Sequence, residues 1–168
     1  DVKDERVRFE TGFCRSIINQ NAPTEFFQHA RNPGKTVRFG GNSMVFSPAY
    51  GAPFVSARDI DRRYARMRDF NDIIKLTHMS RYFHHTGGTV CEPTDIDVLD
   101  RHLDMVHSHI IYSDKPYMGS VTSEQRAVDS IRMTEIVFGK EFTSENCCTM
   151  GLINVNSPLV LDGSMLGA

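Results

Sequence analysis

The chemically equipped residues of this chain fall in a few short strings. Cys91 and Glu92 close the run "GGTVCE", directly before Pro93. A carboxylate at the end of a buried strand must be solvated, paired or hydrogen-bonded. Glu92 is therefore either a ligand-binding group or an N-terminal partner for a helix that starts near Thr94. Cys91 reads as a small buried hydrophobe rather than a nucleophile, because spacing offers it no acid–base partner. Ser120 and Thr122 lie in "MGSVTS", and Asn154, Asn156 and Ser157 in "INVNSP". Asn154 and Asn156 share one face of an extended segment, where paired amides bind a polar ligand or bridge strands; the ligand is the favoured reading. Tyr50 and Phe54, in the Pro/Gly-rich "PAYGAPF", read first as aromatics that pack the loop onto the domain.

His84-His85 and the "HSH" string at 107–109 suggest metal ligands, but their spacing opposes it. Adjacent residues of a strand point apart, and roughly 20 Å of extended chain separates His85 from Cys91. Residues i and i+2 of a helix do not face one another, so His102, His107 and His109 read as helix-surface or packing residues. No G-x-G-x-x-G opens a helix, so a dinucleotide site has no support.

These groups need elements to hold them. Residues 1–35 show no strong period and read as an irregular or partly helical lead-in. Thr36–Phe39 and Met44–Phe46 flank Gly-Gly-Asn-Ser and read as a β-hairpin, with an aromatic loop running to residue 60. From 61 to 168 the pattern alternates. Asp69 is expected to cap a helix with Phe70, Ile73, Ile74 and Thr77 on its buried stripe. Thr94 with Asp97, and Thr122 with Gln125, are expected to cap two more. Leu99, Leu103, Val106 and Ile110 face inward from the first of these, and Ala127, Val128, Ile131 and Val137 from the second. Gly88, Gly119 and Gly151 open the intervening strands at intervals of one βα unit, which implies a parallel sheet with helices outside it. In such a sheet reactive groups gather at the carboxyl ends of the strands. Glu92, Ser120, Thr122, Asn154 and Asn156 then share one rim, and His84 and His85 lie at the opposite face.

The 168 residues suffice for one ordinary domain, and the net charge of −2 with scattered Lys and Arg argues against nucleic acid as a partner. No apolar run reaches a membrane span and the start lacks a signal-peptide pattern, so a cytoplasmic chain without a membrane partner is expected. Four cysteines without a C-x-x-C pair are expected to be reduced thiols, with no metal bound directly. A first residue other than Met and an uncapped last segment read as a piece of a longer chain.

The strings "FSPAYGAPFV", "HHTGGTVCEP", "RHLDMVHSHIIYSDKPYMGSVTSEQRAVDSI" and "MGLINVNSPLVLDGSMLGA", in that order, closely resemble the interior of the trimethylamine methyltransferase family, from about Arg38 onward. The resemblance implies a (β/α)8 TIM barrel, of which this α/β chain would be a part, since a whole barrel takes about 250 residues. It implies transfer of a methyl group from a methylated amine, trimethylamine or a quaternary amine such as glycine betaine, to the cobalt of a corrinoid (cobalamin) carried by a cognate partner protein. Members acting on trimethylamine carry pyrrolysine, at a position beyond this segment. No catalytic role is carried over to any residue here; for the amine cation that the resemblance implies, Tyr50 and Phe54 are the best-placed aromatic faces, with packing of their loop the favoured alternative. Open strand edges also lead us to expect a homo-oligomer. Two other readings remain at this point: a metal-dependent barrel hydrolase, and a non-catalytic piece that only binds or oligomerises.

Overall fold

The structure is a computed structural model that describes residues 2–3, 6–157 and 160–167. It is a mixed α/β arrangement in which short strands are held mostly by side chains. The lead-in carries an antiparallel pair, β1 (Val2–Lys3) with β2 (Arg6–Val7), and a helix α1 (Phe13–Asn21). β3 (Glu25–Gln28) then pairs antiparallel with β4 (Val37–Gly40). This corrects the expected hairpin: the strand at 37–40 exists, but it turns back on the upstream residues, and Met44–Phe46 form no strand. Phe46 is used elsewhere. Its carbonyl accepts the amides of His84 and His85, and its own N–H donates to His84 Nδ1 at 3.1 Å. A second hairpin, β5 (Phe54–Ala57) with β6 (Ile60–Tyr64), occupies the region read as loop.

Helix α2 (Met67–Met79) buries Phe70, Ile74 and Thr77 as its period demands. Asp69 sits in the first turn rather than before it, accepting from the Arg66 N–H at 2.8 Å and from both arms of Arg63. Helix α3 (Arg101–Tyr112) starts seven residues after Thr94, because Thr94 and Asp95 serve α2 instead. Thr94 donates its amide and hydroxyl to Ala65 O, and Asp95 accepts the Met67 N–H. The buried residues of α3 are His102, Met105, Val106, Ser108 and His109; Val106 faces inward as expected, whereas Leu99 and Leu103 are exposed. β7 (Tyr117–Met118) leads to α4 (Glu124–Phe138), α5 (Lys140–Glu145) and β8 (Thr149–Met150). Ser123 rather than Thr122 caps α4, and its buried residues are Ser130 and Thr134, with Ile131 facing out. The chain closes on the antiparallel pair β9 (Val155–Asn156) and β10 (Val160–Leu161).

β7 and β8 are parallel, Tyr117 opposite Thr149 and Met118 opposite Met150. Residues 86–87 run beside β7, with Thr86 N–H on Pro116 O and Met118 N–H on Gly87 O, although no ladder forms there. The extended segments thus precede the glycines: Gly119 and Gly151 follow β7 and β8 instead of opening them. The β3–β4 connection spans the amino ends of these segments. Gln28 donates to Tyr117 O at 2.7 Å, the His29 N–H to Cys147 O at 2.8 Å, and Arg31 to Ser113 O at 2.9 Å.

The core joins Ala65, Phe70, Ile74, Val90, Cys91 and Met105, so it lies between α2, α3 and the 90–91 turn. Beside it is a buried cation. Lys115 is 7% exposed, and its ammonium donates to Thr77 O, Ser80 O and Phe83 O at 2.7, 2.7 and 2.8 Å. All three N–H groups are satisfied at the negative end of α2, which is what makes burial of that charge tolerable. Lys115→Met removes the donors and leaves three carbonyls unpaired, so we expect a loss of about 3 kcal/mol of stability. Denaturant unfolding of the full-length protein checks the magnitude, and faster amide exchange confined to residues 76–83 checks the cause.

Candidate functional site

The "HHTGG" string is the structural hinge of the region. His109, on α3, reaches it with both ring nitrogens: Nε2 lies 2.9 Å from Gly88 O and Nδ1 2.9 Å from Thr86 Oγ1. A carbonyl only accepts, so Nε2 carries the proton. Nδ1 then takes the Thr86 hydroxyl proton in preference to Pro116 O, which lies 3.0 Å from the same hydroxyl and keeps the Thr86 N–H. His85 is fixed in the same way. Its Nδ1 accepts from the Gly87 N–H at 2.8 Å, and its Nε2 donates to Gln28 Oε1 at 3.1 Å. Burial pushes the His109 pKa down to about 4, and burial with the charge of His109 pushes that of His85 to about 3. Both are neutral packing residues with saturated nitrogens, as the adjacent-residue geometry implied.

The clamp fixes where the rim begins. Gly87 adopts φ +82°, a left-handed value that suits glycine. A side chain at Gly88 would meet the Tyr50 ring at 2.8 Å and Met118 at 3.0 Å. Tyr50 therefore lies against the backbone of Gly88, beside Met118, and remains 43% exposed. The Pro/Gly-rich loop is stitched to the following residues: the Gly51 N–H donates to Thr89 O at 2.6 Å and the Glu92 N–H to Ala52 O at 2.9 Å. Tyr50, Thr89 and Glu92 are thus brought into one neighbourhood by backbone pairing.

Glu92 itself faces Arg101, whose guanidinium lies 3.5 Å from Oε2 and also donates to Pro93 O at 3.3 Å. Arg101 is the first residue of α3, so this contact is with a side chain of the helix rather than with its N-terminal amides. The carboxylate is still 42% exposed and has room for a second contact. Ser120 is held through its backbone, its N–H on Ser130 Oγ and its carbonyl accepting from the same hydroxyl. Thr122 Oγ1 accepts from Arg126, which also donates to Val98 O. Arg126 thereby ties the 120–122 rim to the loop that follows Glu92. Asn154 and Asn156 do not join this group. β8 ends at Met150, and both asparagines are exposed beyond it, Asn156 opposite Val160 in the terminal hairpin. Ser157 is exposed as well.

Phe54 stacks on Tyr64 at 4.7 Å between centroids with Arg62 4.0 Å above its ring, so its faces serve its own hairpin. His84 stacks on Phe46 at the amino-end side. Cys91 is fully buried in the core, and burial raises its thiol to about 12. Missed from the sequence were Gln28, Lys115 and the pair His102 with Asp129, whose partners lie 27 to 89 positions away and leave no local period. A buried, protonated thiol neither attacks nor alkylates. Under native conditions, iodoacetamide followed by peptide mass spectrometry is expected to leave Cys91 unmodified and to label it only after denaturation.

Comparison with known proteins adds the chain's relationships. The family described as Trimethylamine methyltransferase (MTTB) matches residues 1–168. The chain is 42% identical, over 168 residues, to a glycine betaine methyltransferase of Desulfitobacterium hafniense (strain Y51), covering 99% of this chain and 35% of that protein. The chain therefore spans about a third of the length of this curated relative.

Proposed function

We propose, from the premise that the chain belongs to the Trimethylamine methyltransferase (MTTB) family, that the full-length protein takes a methyl group from a methylated amine, glycine betaine before trimethylamine. The observation that carries the order of substrates is the 42% identity to a glycine betaine methyltransferase along nearly the whole chain. The acceptor in this reading is a corrinoid carried by a partner protein, which supplies the nucleophilic cobalt. The fold we propose for the full protein is a (β/α)8 barrel, supported by the order of residues 84–87, β7 and β8 with helices between them and by the parallel pairing of the last two. Among the described residues no helix is long and apolar enough to cross a membrane. A cytoplasmic setting is part of the proposal.

What this chain would contribute is a seat for the amine. A quaternary ammonium has no proton to exchange, and the tertiary amine it becomes leaves neutral. The residues around it need only bind and align it. The neighbourhood of Tyr50 suits that task. It offers a half-exposed ring held against Gly88, with Thr89 and the carboxylate of Glu92 brought beside it by backbone pairing, and a cysteine too buried to react. An aromatic face contributes about 1–2 kcal/mol to a partly desolvated cation.

The test is methylation of a Co(I) corrinoid protein by the full-length enzyme with glycine betaine, other betaines or trimethylamine as donor. Transfer from glycine betaine is expected; hydrolysis of amides or esters with no methyl transfer would reverse the reading. In the same assay Tyr50→Leu is expected to lower kcat/KM about 5- to 30-fold, mainly through KM, whereas Tyr50→Phe keeps the ring and stays within about threefold.

A further inference from the structure

His102 is the one buried side chain among the described residues with an unanswered polar atom. The residue is 5% exposed, and Nε2 lies 3.1 Å from Asp129 Oδ2. The hydrogen bond from His102, with a second from Gln125, holds Asp129 below the usual carboxylate range. An ionised carboxylate only accepts, so Nε2 bears a proton, and in the Nε2–H tautomer Nδ1 presents a lone pair. No donor reaches it. A buried polar atom left without a partner is destabilising.

The same residue lines a small, partly open cavity beside α3, with Gly88, Thr89, Gly119 and Ser120 also in its wall. The cavity has a volume of about 10 Å3. That is near the roughly 10–15 Å3 that one water requires, and too small for a polyatomic anion. No carboxylate lines it, so a metal cation would find no charged ligand there. His102 lines this space and Asp129, the partner of its Nε2, does not. The hydroxyls of Thr89 and Ser120 and the peptide groups of Gly88 and Gly119 supply the further partners that an internal water needs.

We propose that this cavity binds a single structural water, which donates to His102 Nδ1 and completes a bridge from Asp129 on α4, through His102 on α3, to the 88–89 and 119–120 turns. His102 is a positioning residue for both turns. Its bond to Asp129 sets the tautomer, the tautomer makes Nδ1 an acceptor, and the water converts that acceptor into a link between two rim segments. The site takes a neutral donor, and its occupancy is independent of which substrate the protein uses.

A crystal structure of the full-length protein, at a resolution that shows ordered solvent, tests this directly. The expected result is a density peak about 2.7–3.2 Å from Nδ1 and within hydrogen-bonding distance of at least one group on residues 88–89 or 119–120. A dry cavity, or an Nδ1 bonded to a protein atom, overturns the proposal. Imidazole nitrogen shifts of histidine-labelled protein give a second reading: the Nε2–H tautomer of His102 is expected, and the opposite tautomer refutes the assignment. In His102→Phe the peak should vanish; an unchanged water would show that His102 does not hold it.

Discussion

The fold of this region depends on two histidines being uncharged. His109 and His85 clamp the chain at residues 85–88 from opposite sides, one from α3 and the other through Gln28 of β3. Each ring uses one nitrogen as donor and the other as acceptor, so only the neutral form satisfies the buried groups around it. Tyr117 stacks on His109 at 5.8 Å, and its hydroxyl continues to Thr134 on α4. One polar layer thus connects the β3–β4 hairpin, the 85–88 segment, β7, α3 and α4. Because folding holds both pKa values below the ordinary value of 6.5, the folded state binds fewer protons than the unfolded chain at mildly acid pH. The contribution of this layer is complete above about pH 6.5. It weakens as pH falls toward about 4 for His109 and about 3 for His85.

Polar side chains also set the distance between helix and strand. The buried positions of α4 are Ser130 and Thr134 rather than its valines and isoleucine. A Cβ added at Gly119 would lie 2.6 Å from Ser130 Cβ, so the helix approaches the strand end as closely as glycine permits. At that separation a hydroxyl reaches the backbone of Ser120 on both sides, whereas a branched aliphatic side chain would force the two apart. Lys115 does comparable work at the other end, drawing the last turn of α2 onto the start of β7.

This explains how far the sequence could be read. The stripe of α2 was legible because Phe70, Ile74 and Thr77 follow the helical period and pack against an apolar core. Cys91 as a buried hydrophobe and the parallel relation of the segments near 118 and 150 were legible for similar reasons. The face of α3 was not, because two of its buried residues are histidines, which count as polar in any hydrophobic pattern. Caps were misplaced where a good capping residue served another element, as Thr94 and Asp95 serve α2. The hairpin partner of β4 was missed because Gly-Gly-Asn-Ser has the right turn chemistry, while the true pairing closes a longer loop through Asn32 and Pro33. Of the proposed site, Glu92, Ser120 and Thr122 were named as strand-end polar groups and Tyr50 as a loop aromatic. Their arginine partners and the separation of Asn154 and Asn156 depend on where the strands end, which periodicity did not fix.

The same polar layer links fold to function. Tyr50 has no stripe of its own to hold it; its position follows from Gly51 and Ala52 pairing with Thr89 and Glu92, and from the bare backbone of Gly88. Gly88 is in turn placed by His109. A cation seat of this kind gains little from reactive side chains and much from being held at one distance, because the attraction of a ring face falls off steeply as the ring tilts or the cation is displaced. Rigidity in the layer beneath is therefore a requirement of the proposed chemistry. The polar residues that look catalytic by type, above all the histidines, are used to supply that rigidity, while the residue proposed to meet the amine is an aromatic in a loop.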